Sequence, residues 1–166
     1  MEISDFTDKS VHSLTKQLGK KLSAAGKVCA VAESCTGGMI GATLTAIPGS
    51  STWFHGGIIA YDNRVKKKVL GVPENILDKQ GAVSAETVTA MAAGAAKLIS
   101  CEYAVAVSGI AGPGGGTDEK PVGLVYIGIY FQGQTVSFRH MFKGNREAVR
   151  KATVITALQH LNAHVS

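Results

Sequence analysis

Several residue classes that mark particular kinds of protein are scarce in this chain of 166 residues. Cysteine occurs only three times, an odd number without CxxC spacing, which argues against a disulfide framework or a structural zinc site and favours a reducing cytosol. Aromatic residues make up 6%, and no segment interleaves them with basic residues as single-strand nucleic-acid binding requires. We therefore expect a cytoplasmic location, no metal and no nucleic-acid partner.

Long apolar runs and targeting signals are also missing. Nowhere do 18 apolar residues follow one another, and residues 1–5 have neither the basic nor the apolar region of a secretion signal. Contact with a membrane is not expected. Charged residues amount to only 17%, against 45% hydrophobic residues, which suits a packed core in one domain spanning residues 1–166. The net charge of +5 suits an anionic partner without selecting one.

Glycine, in contrast, is abundant, with 20 residues, and it punctuates an alternation of predicted helices and strands. Apolar periodicity predicts helices at 10–25, 39–47, 64–70, 84–99 and 145–162. Short apolar runs predict strands at 28–32, 56–61 and 103–107, the first two buried on both faces, followed by a β-hairpin at 121–131 and 135–142. This order predicts an α/β fold: a single-domain three-layer α/β/α sandwich with a mixed sheet that includes the C-terminal β-hairpin.

The polar turn at residues 33–38, with the sequence ESCTGG, joins the first predicted strand to the next helix. Ligands bind at the carboxyl ends of strands in open α/β sheets, and first-turn N–H groups of a helix can hold an anion or a developing oxyanion. Ser34 is therefore a candidate nucleophile, with backbone groups of Thr36, Gly37 and Gly38 as candidate oxyanion donors. The alternative is that Ser34 or Thr36 only caps the helix.

The second predicted strand also ends near residues with catalytic potential. A serine hydroxyl needs a base, and the histidines do not provide the arrangement of a Ser-His-Asp triad. A desolvated Lys66, or a Tyr61 polarised by it, is the candidate base, and a solvated basic face is the alternative interpretation. His160 and His164 have helical metal-ligand spacing but no third ligand nearby, so no metal is assigned.

A glycine-rich loop at residues 108–117 follows the third predicted strand. It lacks the Lys-Ser/Thr of a P-loop and the last glycine of a dinucleotide fingerprint, and a strand rather than a helix comes next. What remains is either a wide turn or a loop whose backbone approaches a ligand closely. The candidate substrate-binding residues in and beside it are Gly109, Ala111, Gly112, Gly115, Gly116, Thr117 and Lys120.

Two arginines, Arg146 and Arg150, lie one turn apart at the start of the last predicted helix. Their guanidinium groups and the helix N-terminus suit a phosphate or a carboxylate. Simple surface charge is the competing interpretation.

Five motifs closely resemble, in this order, the C-terminal domain of the competence/damage-inducible protein CinA. They are AESCTGG at 32–38, PGSS at 48–51, GAVS at 81–84, SGIAGP at 108–113 and KPVG at 120–123. The resemblance covers about residues 10 to 162. Stand-alone members of this family are nicotinamide-nucleotide amidohydrolases. Full-length relatives carry an additional N-terminal nucleotide-pyrophosphatase-like domain, which we expect this chain to lack.

The resemblance implies hydrolysis of nicotinamide mononucleotide to nicotinic acid mononucleotide and ammonia in pyridine nucleotide salvage, without a cofactor. We predict a serine-type amidohydrolase in which Ser34 attacks the carboxamide and Lys66 or Tyr61 relays the proton. The substrate's phosphate would lie against the glycine loop, with Arg146 or Arg150 contributed across the interface of a homodimer. The alternatives are a non-catalytic nucleotide-binding or adaptor module linked to competence or DNA recombination, and a hydrolase of another small amide such as nicotinamide or glutamine.

Overall fold

The computed structural model describes residues 8–166, so the N-terminal residues 1–5 considered above lie outside the described part. Six α-helices are present there: α1 (Asp8–Ala25), α2 (Met39–Thr45), α3 (Asn63–Lys68), α4 (Glu74–Gln80), α5 (Ala85–Ile99) and α6 (Arg146–His164). The five strands are β1 (Cys29–Glu33), β2 (Phe54–Ile59), β3 (Tyr103–Gly109), β4 (Leu124–Phe131) and β5 (Gln134–Met141). Helices and strands alternate up to β2, and three helices then precede β3.

The strands form one mixed sheet in the order β2-β1-β3-β4-β5. Strands β2, β1 and β3 run parallel, whereas β4 is antiparallel to both β3 and β5. The carboxyl ends of the three parallel strands therefore meet at one edge of the sheet. The predicted α/β class, with its mixed sheet and C-terminal hairpin, is confirmed.

Alternating side chains of the strands fill two separate cores. Cys29 and Val31 of β1 face α1, α2 and α6, where larger residues pack. Ala30 and Ala32 face the opposite way, toward an alanine-rich side of α5. Gly128 of β4 also lies under α5, and a Cβ there would overlap the carbonyl group of Val88. Small residues on both partners thus let α5 lie close to the sheet, and the three layers follow from this division.

Two details differ from the sequence prediction. Strand β2 is an edge strand rather than one buried on both faces, and its residues alternate between less and more exposed. The run of Gly56, Gly57, Ile58 and Ile59 has the apolar character of a central strand, but strand order is decided by long-range packing. Helix α4 was not predicted, because none of its seven residues is fully buried and only the partly buried Ile76 and Leu77 pack against the core. Among residues 8–166, no helix combines the length and apolar character needed to cross a bilayer.

Candidate functional site

The segments that follow β1 and β2 lead to opposite faces of the sheet, and the candidate site lies where these two strands end. The segment after β1 leads to α2 on one face of the sheet, and the segment after β2 leads through α3 to α5 on the other. Glu33 at the end of β1 is paired with Ile59 at the end of β2. The carboxyl ends of parallel strands are where open α/β sheets bind ligands.

Ser34 and Lys66 meet at this point, as the sequence analysis required of a nucleophile and its base. Ser34 follows β1 directly and is held in place by its N–H group, which donates to the carbonyl of Val107 (3.1 Å). Lys66 projects from α3, and its Nζ lies 3.3 Å from Ser34 Oγ. The lysine side chain is almost fully buried, with 1% of the residue exposed, so it is not part of a solvated basic face.

The surroundings of Lys66 shift its amine toward the neutral form. Burial lowers the pKa of Lys66 below the usual range of lysine, with the negative charge of Asp62 acting in the opposite direction. Its Nζ also donates to the carbonyls of Ala60 (2.8 Å) and Tyr61 (3.3 Å). A neutral amine has two hydrogens and one lone pair. When the two carbonyls accept the hydrogens, the lone pair is left for the Ser34 hydroxyl, as a general base requires.

The neighbouring Cys35 is not the more reactive nucleophile. Its side chain is buried, and burial raises the pKa of the thiol to about 11. Because the thiolate is the nucleophilic form of cysteine, this thiol is inert near neutral pH. Ser34, next to a lysine with a lowered pKa, is the better candidate.

The turn that carries Ser34 is stabilised from below by Glu33. Its carboxylate accepts hydrogen bonds from the hydroxyl of Thr36 and the N–H groups of Gly38, Ile40 and Gly41. The N–H group of Gly37 donates to the carbonyl of Ser34 (3.1 Å). Of the three predicted oxyanion donors, Gly37 and Gly38 are therefore already hydrogen-bonded within the protein, whereas no acceptor for the Thr36 N–H lies among the described contacts.

The two predicted arginines contact this site within their own chain. Arg150 donates from Nε to the carbonyl of Cys35 (3.1 Å) and from a terminal nitrogen to that of Thr36 (2.9 Å). Arg146 donates to the carbonyl of Gly112 (3.0 Å), and its other terminal nitrogen lies 3.5 Å from the Tyr61 hydroxyl. Helix α6 thereby joins the Ser34 turn, the glycine-rich loop and the end of β2.

The structure separates the roles suggested for Tyr61 and Lys66. The Tyr61 side chain is 63% exposed, and its hydroxyl faces Arg146, whereas its backbone carbonyl contacts Lys66. Lys66, not the Tyr61 hydroxyl, is thus the group in contact with Ser34. Tyr61 remains at the rim, where its ring can meet a ligand.

The glycine-rich loop begins beside this site, at the end of β3. Gly109 allows close approach of the loop to β4, because a Cβ there would lie 2.8 Å from the carbonyl oxygen of Leu124. Ala111 is buried at the base of the loop. Farther along, a Cβ on Gly116 would come within 2.7 Å of the Val122 nitrogen. Tight packing therefore explains Gly109 and Gly116 without a ligand, while Gly115, with φ +87°, adopts a left-handed conformation.

Thr117 and Lys120 form two hydrogen bonds with each other at the far end of the loop. The Thr117 N–H donates to the Lys120 carbonyl (2.9 Å), and the Lys120 N–H donates to Thr117 Oγ1 (3.0 Å). The Lys120 ammonium group donates to the carbonyl of Gln80, the last residue of α4. Within residues 8–166, no recorded contact joins either residue to Ser34 or Lys66. The structure thus brings together Ser34, Lys66, Thr36 and both arginines, but not Thr117 and Lys120.

Sequence reasoning missed two contributors to the site. Glu33 was noted only as part of a motif, although a lone acid at the end of an apolar strand, before a helix that begins at glycine, is a detectable capping signal. Asp62 caps α3 by accepting from the Arg64 N–H (2.7 Å). These carboxylates fix the starts of the helices that follow β1 and β2.

Comparison with known sequences gives a consistent result. The family model described as the CinA C-terminal domain matches residues 11–165. The nicotinamide-nucleotide amidohydrolase PncC of Escherichia coli is 44% identical over 157 residues, which cover 94% of this chain and 95% of the relative. A putative competence-damage inducible protein of Halothermothrix orenii is 50% identical over 150 residues, 90% of this chain. This chain spans only 36% of that relative's length.

Solved structures agree with the fold. The competence/damage inducible protein CihA of Agrobacterium tumefaciens superposes with a TM-score of 0.92 at 39% identity, covering 97% of this chain and 98% of that one. A CinA superfamily protein of Klebsiella pneumoniae gives a TM-score of 0.90 at 35% identity, covering 93% and 97%. With a family match over nearly the whole chain and relatives above 40% identity, the chain belongs to the CinA C-terminal domain family.

Proposed function

We propose that this protein is an amidohydrolase that converts nicotinamide mononucleotide and water to nicotinic acid mononucleotide and ammonia. The observation that carries the proposal is the buried Lys66 amine 3.3 Å from the Ser34 hydroxyl, at the edge of the sheet where the parallel strands end. The choice of substrate is supported by the 44% identity to PncC, which extends over 95% of that relative. Pyridine nucleotide salvage in the cytoplasm and assembly as a homodimer complete the proposal as implications of the family.

The proposed reaction begins with proton transfer from the Ser34 hydroxyl to the neutral Lys66 amine. Ser34 Oγ forms a bond to the carboxamide carbon, and the carbonyl oxygen becomes an oxyanion. When this tetrahedral intermediate collapses, the C–N bond breaks and the Lys66 ammonium gives its proton to the leaving nitrogen, which departs as ammonia. Water, deprotonated by Lys66, then attacks the ester on Ser34 and forms a second tetrahedral intermediate. When this intermediate collapses, the C–O bond to Ser34 breaks, the Lys66 ammonium returns the proton to Ser34 Oγ, and nicotinic acid mononucleotide is released. Lys66 thus serves as base and then as acid in each of the two halves of the reaction.

Backbone N–H groups of the turn at residues 33–38 are proposed to stabilise the oxyanion. The N–H of Thr36 is the proposed donor, because those of Gly37 and Gly38 already have acceptors within the protein. A preorganised donor of this kind is worth on the order of 10²-fold to 10³-fold in kcat.

The substrate's phosphate is proposed to lie between the glycine-rich loop and the start of α6. Arg146 is the first residue of α6 and contacts the loop through its bond to the Gly112 carbonyl (3.0 Å). Its second terminal nitrogen faces Tyr61 at the longer distance of 3.5 Å, a weak contact that a phosphate oxygen can replace. Gly112 and Gly115 adopt left-handed backbone conformations in this loop, and the net charge of +5 favours an anionic substrate.

Ammonia release from a panel of four amides tests this proposal. We expect turnover of nicotinamide mononucleotide, and kcat/KM lower by at least about 10²-fold for free nicotinamide and glutamine, because these lack the phosphate and lose its binding energy. The dinucleotide NAD tests whether the site accepts a blocked phosphate. Higher kcat/KM with glutamine or nicotinamide would assign a different amide. Nucleotide binding with no ammonia from any member would favour the non-catalytic adaptor.

A further inference from the structure

A buried carboxylate lies directly beneath the candidate nucleophile. Glu33 is only 1% exposed, and its two oxygens accept four hydrogen bonds. Oε2 accepts from Thr36 Oγ1 (2.6 Å), Gly38 N (3.0 Å) and Ile40 N (3.1 Å), and Oε1 accepts from Gly41 N (2.8 Å). The carboxylate therefore ties the end of β1 to the first turn of α2, and Ser34 lies in the segment that these bonds enclose.

This arrangement changes what the start of α2 can bind. The N-cap of α2 is Gly38, which has no side chain to cap the helix, and Glu33 takes that role from the preceding strand. The N–H groups that ordinarily make a helix N-terminus an anion site are thus occupied by the protein's own carboxylate. An oxyanion formed at Ser34 must be stabilised elsewhere.

The peptide bond between Cys35 and Thr36 supplies the remaining donor. In a trans peptide the C=O and N–H groups point in opposite directions. The Cys35 carbonyl accepts from Arg150 (3.1 Å), so the Thr36 N–H points away from that guanidinium. The N–H groups of Ser34, Gly37 and Gly38 all have acceptors, and the N–H of Cys35 lies against its own thiol, whereas no acceptor is recorded for the Thr36 N–H among residues 8–166.

We propose that Glu33 is a positioning residue for amide hydrolysis, which holds the Ser34 turn so that the N–H of Thr36 receives the oxyanion. The inference rests on the proposed function. Glu33 acts through the Thr36 hydroxyl on one side and through the first turn of α2 on the other, and it does not touch the substrate. Its contribution therefore belongs to the transition state rather than to substrate affinity.

Glu33→Gln is the first test. A glutamine keeps the size of the side chain, but its single oxygen cannot serve both the three donors on Oε2 and the Gly41 N–H. We expect kcat for ammonia release to fall by about 10²-fold, with KM and the dissociation constant of nicotinic acid mononucleotide nearly unchanged. The aldehyde analogue of the substrate, which forms a tetrahedral adduct with Ser34, should lose affinity in parallel with kcat/KM.

A second pair of variants keeps the test informative if the first protein folds poorly. Thr36→Val removes the hydroxyl bonded to Glu33 and retains the backbone N–H and the side-chain shape, and it should lower kcat with little change in product affinity. Thr36→Ser restores the hydroxyl and should recover most of that loss. Glu102→Gln is the matched control, because Glu102 accepts from the Val28 N–H at the opposite end of β1 and should leave turnover unchanged.

The outcomes separate this inference from the proposed function. A wild-type protein that neither releases ammonia nor binds the aldehyde would overturn both. With an active wild type, folded Glu33→Gln and Thr36→Val variants that keep kcat within about twofold would overturn only the positioning role. Equal losses of turnover and product affinity would also contradict it, since that pattern indicates general damage to the fold.

Discussion

Replacing Ser34 by alanine is expected to lower kcat for ammonia release from nicotinamide mononucleotide by about 10⁴-fold or more. Ser34 Oγ supplies the electron pair that attacks the carboxamide, and no other hydroxyl is recorded within contact of Lys66 Nζ among residues 8–166. The Cys35 thiol beside it is buried and protonated, so it offers no replacement nucleophile. Single-turnover and steady-state ammonia assays measure the effect.

Binding should survive this substitution. Ser34 is nearly buried, with 7% of the residue exposed, and losing one hydroxyl removes the attacking atom without opening the turn. The dissociation constant of nicotinic acid mononucleotide, measured by calorimetry, should therefore change by no more than about threefold. Ser137→Ala on β5 is the control and should retain wild-type turnover. Full activity in a folded Ser34→Ala protein would exclude the nucleophilic mechanism.

Replacing Lys66 by methionine is expected to lower kcat by about 10³-fold, within the range for loss of a general base. Methionine fills a similar volume but cannot take the proton of Ser34. Lys68→Met is the matched control, because Lys68 belongs to the same short helix and its side chain is exposed. We expect the control to keep full turnover, and equal losses in the two variants would reject the assignment of the base.

The pH dependence gives an independent signature of Lys66. Burial lowers the pKa of this amine, and only its neutral form accepts the serine proton. In the wild type, kcat/KM should therefore rise with pH as the ammonium loses its proton, with a midpoint below the usual lysine value of about 10.4. The residual activity of Lys66→Met should lack this rise. A rise that persists in the variant would assign it to another group.

Stability should respond to pH in the same direction. Since the pKa of Lys66 is lower in the folded than in the unfolded protein, the unfolded chain binds more protons between the two values, and the free energy of unfolding rises with pH across that interval. Below the folded pKa, the charged amine remains buried at a cost. Lys66→Met removes this cost, so we expect the variant to be at least as stable as the wild type near neutral pH. Its inactivity would then not reflect unfolding.

Local sequence patterns predict most of the helices and strands of the fold. Apolar runs predict the cores of β1 and β3, and Ser84 and Asn145 cap α5 and α6 as their positions before apolar helices predict. Strand β2 was wrongly predicted to be buried on both faces because its residues are apolar, whereas its place at the sheet edge depends on how distant segments pack. Helix α4 was not predicted, because none of its residues is fully buried.

For the candidate site, too, the features with a local sequence pattern could be predicted and the long-range contacts could not. Ser34 and Lys66 could be predicted because each follows a strand whose carboxyl end lies at the same sheet edge. The contacts of Arg150 could not, because its partners Cys35 and Thr36 lie 115 and 114 residues away in the chain. The charge of Arg150 and its position at the start of the helix suggest that it binds a phosphate. In the structure, its guanidinium group donates to two backbone carbonyls instead. Long-range hydrogen bonds of this kind leave no local pattern.

Product analysis in ¹⁸O-labelled water tests the central claim most directly. The protein is incubated with nicotinamide mononucleotide, and the products are identified by mass spectrometry alongside ammonia. Hydrolysis through a Ser34 ester predicts nicotinic acid mononucleotide carrying one ¹⁸O atom in its carboxylate and an equal amount of ammonia, with neither formed by Ser34→Ala. Recovery of unchanged substrate, or release of free nicotinamide by cleavage of the glycosidic bond, would contradict the amidohydrolase.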